Sequence, residues 1–274
     1  NMLGLNISAS FNSAVTIYIL IPFLIIPQLI LSGVIVKFDK LNPALTSQTT
    51  VPLSGDVMTS RWAFEALAVT QFKDNAFEKN FYDFDKQLKT AEFKKNFWLS
   101  KLREKLSFIK NNINKQDKRE ELDHAFALLK NEIEKENQKL KKITFDQLEE
   151  LSFTNFKPGK SDAALNTYFN KLNRYYLDMY HEASDKKDAL VSKMNKTDED
   201  RQKFIELKDN YTNESLNDLV QNKNELNKII EVDDQLIQKA DPVFLDSDGF
   251  RSQFFAPRKT IFGQSLPTYW VNIL

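Results

Sequence analysis

The 274-residue chain contains no cysteine. That excludes a disulfide framework, a thiol nucleophile and any Cys-ligated metal, and it suits either side of a membrane. Glycine and proline are scarce, at 6 and 8 residues, and the bias toward Lys, Glu, Leu and Asn favours helix. The two histidines, His124 and His181, sit on helical patterns without a second ligand three or four positions on, so surface or packing roles are expected rather than metal binding. No G-x-x-x-x-G-K-[ST] occurs, so the chain has no P-loop of its own. Neither sign of charge prevails, with 38 basic against 38 acidic residues, which leaves no electrostatic footprint for nucleic acid. Carboxylates are abundant but fall on polar helix faces, and no pair stands out by an apolar setting. No enzymatic activity is expected within these residues.

One absence is local. Asn1 to Val36 hold no charged residue, and within them Ala14 to Val36 forms a 23-residue apolar run, AVTIYILIPFLIIPQLILSGVIV. A bilayer core of about 30 Å takes about 20 apolar residues, and this run would span about 35 Å as helix, so it reads as a transmembrane helix. A signal peptide fits less well, for want of a basic n-region and an A-x-A-like site; a buried core helix is the other competitor. Pro22 and Pro27 each remove an intrahelical hydrogen bond, which is tolerated where neighbouring membrane helices satisfy the freed carbonyls. Position 1 is not Met, and Thr260 to Leu274 is again uncharged, with Tyr269 and Trp270 before an apolar finish. Aromatics that favour the membrane interface point to a second membrane helix cut short in an internal fragment, against a tail that packs on a core.

Between these ends lies enough chain for a core of its own. Lys37 to Phe72 is punctuated by Pro43, Pro52 and Gly55 and closes with SRWAFEALAVTQF (Ser60 to Phe72), a short, mostly apolar helix whose Arg61 and Glu65 share a face. Such a helix lies in a membrane interface, dips into the membrane, or is buried in a soluble domain. Four stripes at helical spacing come after it. The first is Leu99, Leu102, Leu106, Ile109 and Ile113. The second is Leu122, Phe126, Leu129, Ile133, Leu140 and Ile143, opened by a capping box at Asp117 and Glu120 and interrupted by Glu136. The third, capped by Ser161, is Leu165, Phe169, Leu172, Tyr176, Met179, Ala183 and Leu190. The last starts at Thr197, with Asp198 to Asp200 in its first turn, and runs through Phe204, Leu207, Tyr211, Leu216, Val220, Leu226, Ile230 and Ile237, with a break near Thr212 and an end at Asp241-Pro242. Amphipathic helices joined by short polar breaks bury their stripes against each other. The aromatic group Phe169, Tyr175, Tyr176 and Tyr180 reads as core, and strand-like alternation is absent outside Phe244 to Phe255. The expected fold class is all-α: one transmembrane helix, a short re-entrant or interfacial helix, and a large extramembrane antiparallel helical bundle or coiled-coil hairpin. The corresponding divisions are 1–36, 37–72, 73–259 and 260–274.

PQLILSGVIVKFDKL (Pro27 to Leu41) followed by SRWAFEALAVTQF resembles ABC transporters of the G subfamily, the white and multidrug-resistance type, and their bacterial relatives with an ABC-2-type permease. In that family the fifth transmembrane helix ends in a small-residue pair and two bulky apolar residues, here Ser32-Gly33 and Val34-Ile35. A connection then leads to a motif S/P-R-aromatic-x-F/Y-x-A-L, matched by Ser60, Arg61, Trp62, Phe64, Glu65, Ala66 and Leu67. The resemblance implies the membrane-spanning part of an ATP-driven exporter in a bacterial inner membrane, with residues of about 37–265 on the extracytoplasmic side. It implies a homodimer in which Val34 and Ile35 form an outer apolar gate, closing by dewetting, above a cavity lined by Ile26, Leu29 and Ile30; ordinary packing is the plainer role for these residues. Arg61, Trp62, Phe64 and Glu65 would belong to the re-entrant helix. ATP and Mg would be held by a nucleotide-binding domain in the same or a partner chain, and no cofactor by this one. Two departures stand out: the helical insertion after Phe72 is far longer than the family's loop, and the disulfides common there cannot form. A membrane-anchored helical scaffold or adaptor without transport activity is the other reading.

Overall fold

The structure, a computed structural model, describes residues 2–42, 46–247 and 249–273; Asn1, Pro43 and Leu274 lie outside them. The described chain is mostly helical. In order it forms α1 (Met2–Ser10), α2 (Ala14–Ile30), α3 (Leu53–Asp56), α4 (Thr59–Lys73), α5 (Tyr82–Phe93), α6 (Leu99–Asn112), α7 (Arg119–Lys139), α8 (Ser161–Met194), α9 (Asp198–Tyr211), α10 (Glu214–Val220), β1 (Ile229–Val232), β2 (Gln235–Gln238), β3 (Arg258–Ile261), β4 (Gln264–Pro267) and α11 (Thr268–Ile273). It divides into two compact units, residues 71–245 and residues 1–70 with 246–274, so that 246–259 group with the chain ends rather than with the insertion.

In the unit 71–245, the first three stripes form one core. Leu99, Leu102, Leu106 and Ile109 of α6 meet Leu122, Phe126, Leu129 and Ile133 of α7 and Leu165, Phe169, Leu172 and Tyr176 of α8, all buried. α5 lies along α8 and runs into α6 through one turn of π-helix, Lys94–Trp98. The helix starts obey local chemistry unevenly. Thr197 caps α9, accepting a bond from the Asp200 amide as its sequence predicts. α7 begins without a side-chain cap, after a 3-10 turn at Gln116–Lys118, so Asp117 and Glu120 form no capping box. Ser161 is the first residue of α8 rather than its cap; its hydroxyl accepts from the Lys157 amide and donates to Glu150.

The fourth stripe does not form one helix. It stops at Thr212, restarts under an Asn213 cap, and ends at Val220, where Asn222 adopts a positive φ of 51°. Beyond it β1 and β2 pair antiparallel about the turn Asp233-Asp234, with Ile230 opposite Ile237. Tyr211 and Leu226, expected on the buried face, are exposed. A second two-stranded hairpin joins β3 to β4, so the all-α expectation is corrected to a mostly helical fold with two small antiparallel sheets. Neither sheet lies within Phe244 to Phe255, the one stretch of strand-like alternation.

In the other unit, α2 is shorter than the apolar run that contains it. It passes through Pro22 and Pro27 without interruption and ends at Ile30, spanning 17 residues rather than 23. The small pair Ser32-Gly33 stops it: Gly33 takes φ +77°, a conformation a helix cannot continue through. Among the described residues no helix is long and apolar enough to cross a membrane. The chain then doubles back, and the ring of Phe38 fills the space beside both Gly33 and Gly55. A Cβ at Gly33 would overlap Phe38 Cε2, and one at Gly55 would lie 2.8 Å from Cε1. Phe38 is buried and meets Phe254 edge-on, with centroids 5.4 Å apart.

Leu106→Ala or Leu129→Ala removes a fully packed side chain from the three-helix core and should cost about 2–5 kcal/mol. Chemical denaturation of the isolated segment 71–245, monitored by circular dichroism, measures this; the segment should give a helical spectrum before any denaturant is added.

Candidate functional site

The helix SRWAFEALAVTQF carries Arg61 and Glu65 four residues apart, one turn along the same face. Both side chains are completely buried, which an ordinary exposed helical ion pair never is. Arg61 uses its whole fork: Nη1 donates to Glu65 Oε2 at 2.9 Å, Nη2 to Asp56 Oδ1 at 3.0 Å, and Nε to the Gly55 carbonyl at 3.1 Å. Glu65 Oε2 also accepts from Lys259 Nζ at 2.8 Å and from Asn272 Nδ2 at 2.7 Å, and Oε1 accepts from the Phe255 amide at 3.1 Å. Lys259, itself buried, bonds Asn272 Oδ1 at 2.9 Å, and Asn272 donates to the Trp62 carbonyl. Two cations therefore face two carboxylates, with Arg251 3.6 Å from the outer oxygen of Asp56.

Trp62 roofs the cluster. Its Nε1–H donates to the Asp56 carbonyl at 2.8 Å, the Arg61 guanidinium lies 3.7 Å from its ring centroid and Lys259 Nζ 4.5 Å. Phe64 packs edge-on against Phe255, whose amide Glu65 holds. Burial pushes the Arg61 guanidinium and the Lys259 ammonium below their usual ranges, and Glu65 and Asp56 oppose that shift in both. Every charged atom in the cluster has a partner of opposite sign or a backbone group. The arrangement is a clamp: through Glu65 it fastens α4 to Phe255, Lys259 and Asn272 of the returning chain.

The residues singled out by sequence fall apart into three places. Arg61, Trp62, Phe64 and Glu65 come together as described. Ile26, Leu29 and Ile30 are exposed on the last turns of α2. Val34 and Ile35 come after that helix in the turn between Gly33 and Phe38, with Ile35 exposed and Val34 half-buried. Sequence reasoning missed Asp56, Lys259 and Asn272. Lys259 carried the one available signal, as the last charge before the uncharged C-terminal stretch.

Carboxylates are expected from sequence on polar helix faces with no pair in an apolar setting; Glu65 is buried, and so are Glu132 and the second stripe's polar interruption, Glu136. Glu136 is buried in the 71–245 core, where Lys94 pairs with one of its oxygens and the Tyr176 hydroxyl donates to the other. Lys94 also sits 3.7 Å from the centroid of Trp98, whose indole donates to buried Glu132 at 2.7 Å. Burial lowers the Lys94 pKa against the pull of Glu136, and raises those of Tyr168 and Tyr176. Tyr176 and Phe169 are core residues, with Tyr175 and Tyr180 packed at its edge. Of the histidines, His124 is exposed and bonds Asp234 at 2.9 Å, while His181 lies on the surface edge-on to Tyr180. Among the described residues no group of three or more His, Asp or Glu side chains is placed to hold a metal ion.

No protein-family model, curated protein or solved structure matches the chain.

Glu65→Gln keeps the shape of the side chain and leaves Arg61 and Lys259 with one carboxylate between them. Removing one partner of a buried ion pair costs about 3–5 kcal/mol. The expected outcome in thermal unfolding is a large loss for Glu65→Gln and a smaller one for the double variant Glu65→Gln with Lys259→Met, which removes a charge of each sign.

Proposed function

We propose that this chain is the membrane-spanning part of an ATP-driven ABC exporter of the ABC-2 permease type, carrying the outer gate and a large helical domain on the extracytoplasmic side. The observation that carries the reading is α2. It is a helix without a charged residue and without a single buried one: Val15, Ile19, Phe23, Ile25, Ile26, Leu29 and Ile30 are exposed, and Ile17, Leu20 and Leu24 are only half-buried. Exposed apolar surface of that extent calls for lipid or a partner to cover it. Directly after it come the small pair Ser32-Gly33 and the bulky pair Val34-Ile35, and then α4 with its Arg-aromatic motif, the order found in the family the sequence resembles.

At about 1.5 Å per residue α2 is about 25 Å long, some 5 Å short of an average bilayer core. Local thinning, and the uncharged residues on either side, can accommodate such a mismatch at modest cost. In this reading α2 is the fifth transmembrane helix, α4 is the re-entrant or interfacial helix and α11 opens the sixth. Ile26, Leu29 and Ile30 line a cavity at the axis of a homodimer, and Val34 and Ile35 of the two copies meet above it. The partners are the bilayer of a bacterial inner membrane, a second copy, and a nucleotide-binding domain that binds ATP and Mg. The Arg61–Glu65–Lys259 clamp ties the end of the extracytoplasmic loop back to α4, so that the insertion begins and ends at one place. The shortness of α2 favours a second reading, a membrane-anchored helical scaffold that transports nothing.

Disulfide cross-linking separates the two. With no native cysteine to interfere, Val34→Cys and Ile35→Cys should each couple between subunits in membranes, and Val34→Ala with Ile35→Ala should change leak or substrate range at normal expression. An intact dimer with no cross-link at either position removes the gate. Topology is read independently: Leu226→Cys, fully accessible in its turn, should react with an impermeant maleimide in intact cells, and labelling only after lysis would reverse the orientation.

A further inference from the structure

Two hairpins in the chain turn in the same way and are built from different residues. Asp233-Asp234 between β1 and β2 take φ of 48° and 54°, and Phe262-Gly263 between β3 and β4 take 49° and 77°. Two-residue loops with positive φ at both positions are the primed turns that suit strand twist, and they call for Asn, Asp or Gly. Asp enters that region readily; a bulky residue does so against steric resistance and is a genuine outlier there.

One other phenylalanine among the described residues has a positive φ. Phe255, at 70°, is buried against Phe64 and Phe254, and its amide bonds Glu65. Packing and a charge-assisted hydrogen bond hold it in place. Phe262 has no such support: its side chain is wholly exposed and makes no ring contact among the described residues. A strained residue that contributes nothing to the folded unit is a candidate for work outside it. The residues around it agree in character. Thr260 to Ile273 carries no charge, and Leu266, Trp270 and Ile273 are exposed as well. Arg258, at the base of the hairpin, reaches along it to Ser265, bonding Oγ at 2.9 Å and the carbonyl at 2.6 Å, so its charge is engaged within the hairpin at the level of the Thr260–Ser265 pair.

We propose that the β3–β4 hairpin is a membrane wedge, with Phe262 inserted into the interfacial region of a phospholipid bilayer. The tip itself, Ile261 to Gln264, carries no charge that would have to be desolvated on entering the interface. A neutral loop of one large aromatic ring flanked by Gln264 and Ser265 matches the interface, where apolar rings sit beneath uncharged polar groups. The hairpin also leads without a spacer into α11, whose Tyr269 and Trp270 are of the same interfacial type. The wedge rests on the membrane reading of α2 and adds a second contact with the same bilayer.

Spin labels on single cysteines in the full chain, reconstituted in neutral phosphatidylcholine vesicles, test both at once. Labels replacing Phe262 and Phe23 (on α2) should collide with oxygen, which concentrates in lipid, more often than with a water-soluble nickel chelate; a label at Leu226 should show the reverse. Because the label itself alters the tip, a second variant keeps the test sound. Phe262→Asn supplies the residue the turn prefers and removes the ring, and a label at exposed Gln264 should then lose the oxygen excess it shows beside Phe262. An oxygen excess at position 23 with chelate dominance at 262 overturns the wedge and leaves the exporter reading intact. Chelate dominance at both overturns the two together. Protection from both reagents at 262, with spin–spin broadening, would mean a second copy covers the tip and overturns insertion into lipid.

Discussion

A carboxylate cannot be taken out of water alone. Its transfer into a medium of low dielectric has an idealised cost of order 20 kcal/mol, and after relaxation it still costs several. Glu65 is completely buried, so its environment must be assembled around it. The groups that do so come from separate stretches of chain: Arg61 one turn away, the Phe255 amide and Lys259 190 and 194 positions on, and Asn272 beyond them. The unit formed by the chain ends is organised by this demand more than by apolar area. Its folded state requires that the returning strand and α11 be in place before the acid can be dry.

The unit 71–245 solves a similar problem in the opposite setting. Its core is built from helix stripes, and Glu136 is an intrusion into one of them. The intrusion is tolerated because Lys94 and Tyr176 converge on it, from the π-turn after α5 and from α8. A π-turn inserts an extra residue in the helix and rotates the next turns about the axis, and such insertions often mark functional positions. Here Lys94 opens the turn and Trp98 closes it, and each reaches a buried acid of α7. The same device, an acid held by a cation and roofed by indole, thus appears in each unit.

How much was legible in the sequence depends on how far each signal reaches. The stripes of α6, α7 and α8 are local and strongly periodic, and their buried residues fall where the 3.6 period puts them. The Thr197 cap needs three residues of context and is equally plain. Ile230 and Ile237 show where helical periodicity misleads. Seven apart, they read as one heptad step, yet they are cross-strand partners about an Asp-Asp turn, where the same interval brings them opposite each other. The run IIEVDDQLIQ holds both patterns, and the positive φ of its two aspartates decides between them. Of the candidate site, the Arg61–Glu65 spacing could be seen but not its burial, because burial depends on Lys259, 194 residues from Glu65. The apolar run to Val36 reads as unbroken helix because hydropathy does not register the positive φ that Gly33 imposes.

Phe38 gives that broken helix end a mechanical property. The segment from Gly33 to Phe38 is a loop whose two ends touch, since the ring at one end lies against the bare α-carbon at the other. Close-packed matter of this kind is nearly incompressible. Val34 and Ile35 therefore sit on a closed link rather than a free tether, and contact runs unbroken from Gly33 through the Phe38 ring to Gly55 and, by the Gly55 carbonyl, to the Arg61 fork. The two glycines act as bearing surfaces and the phenyl ring as the pin between them.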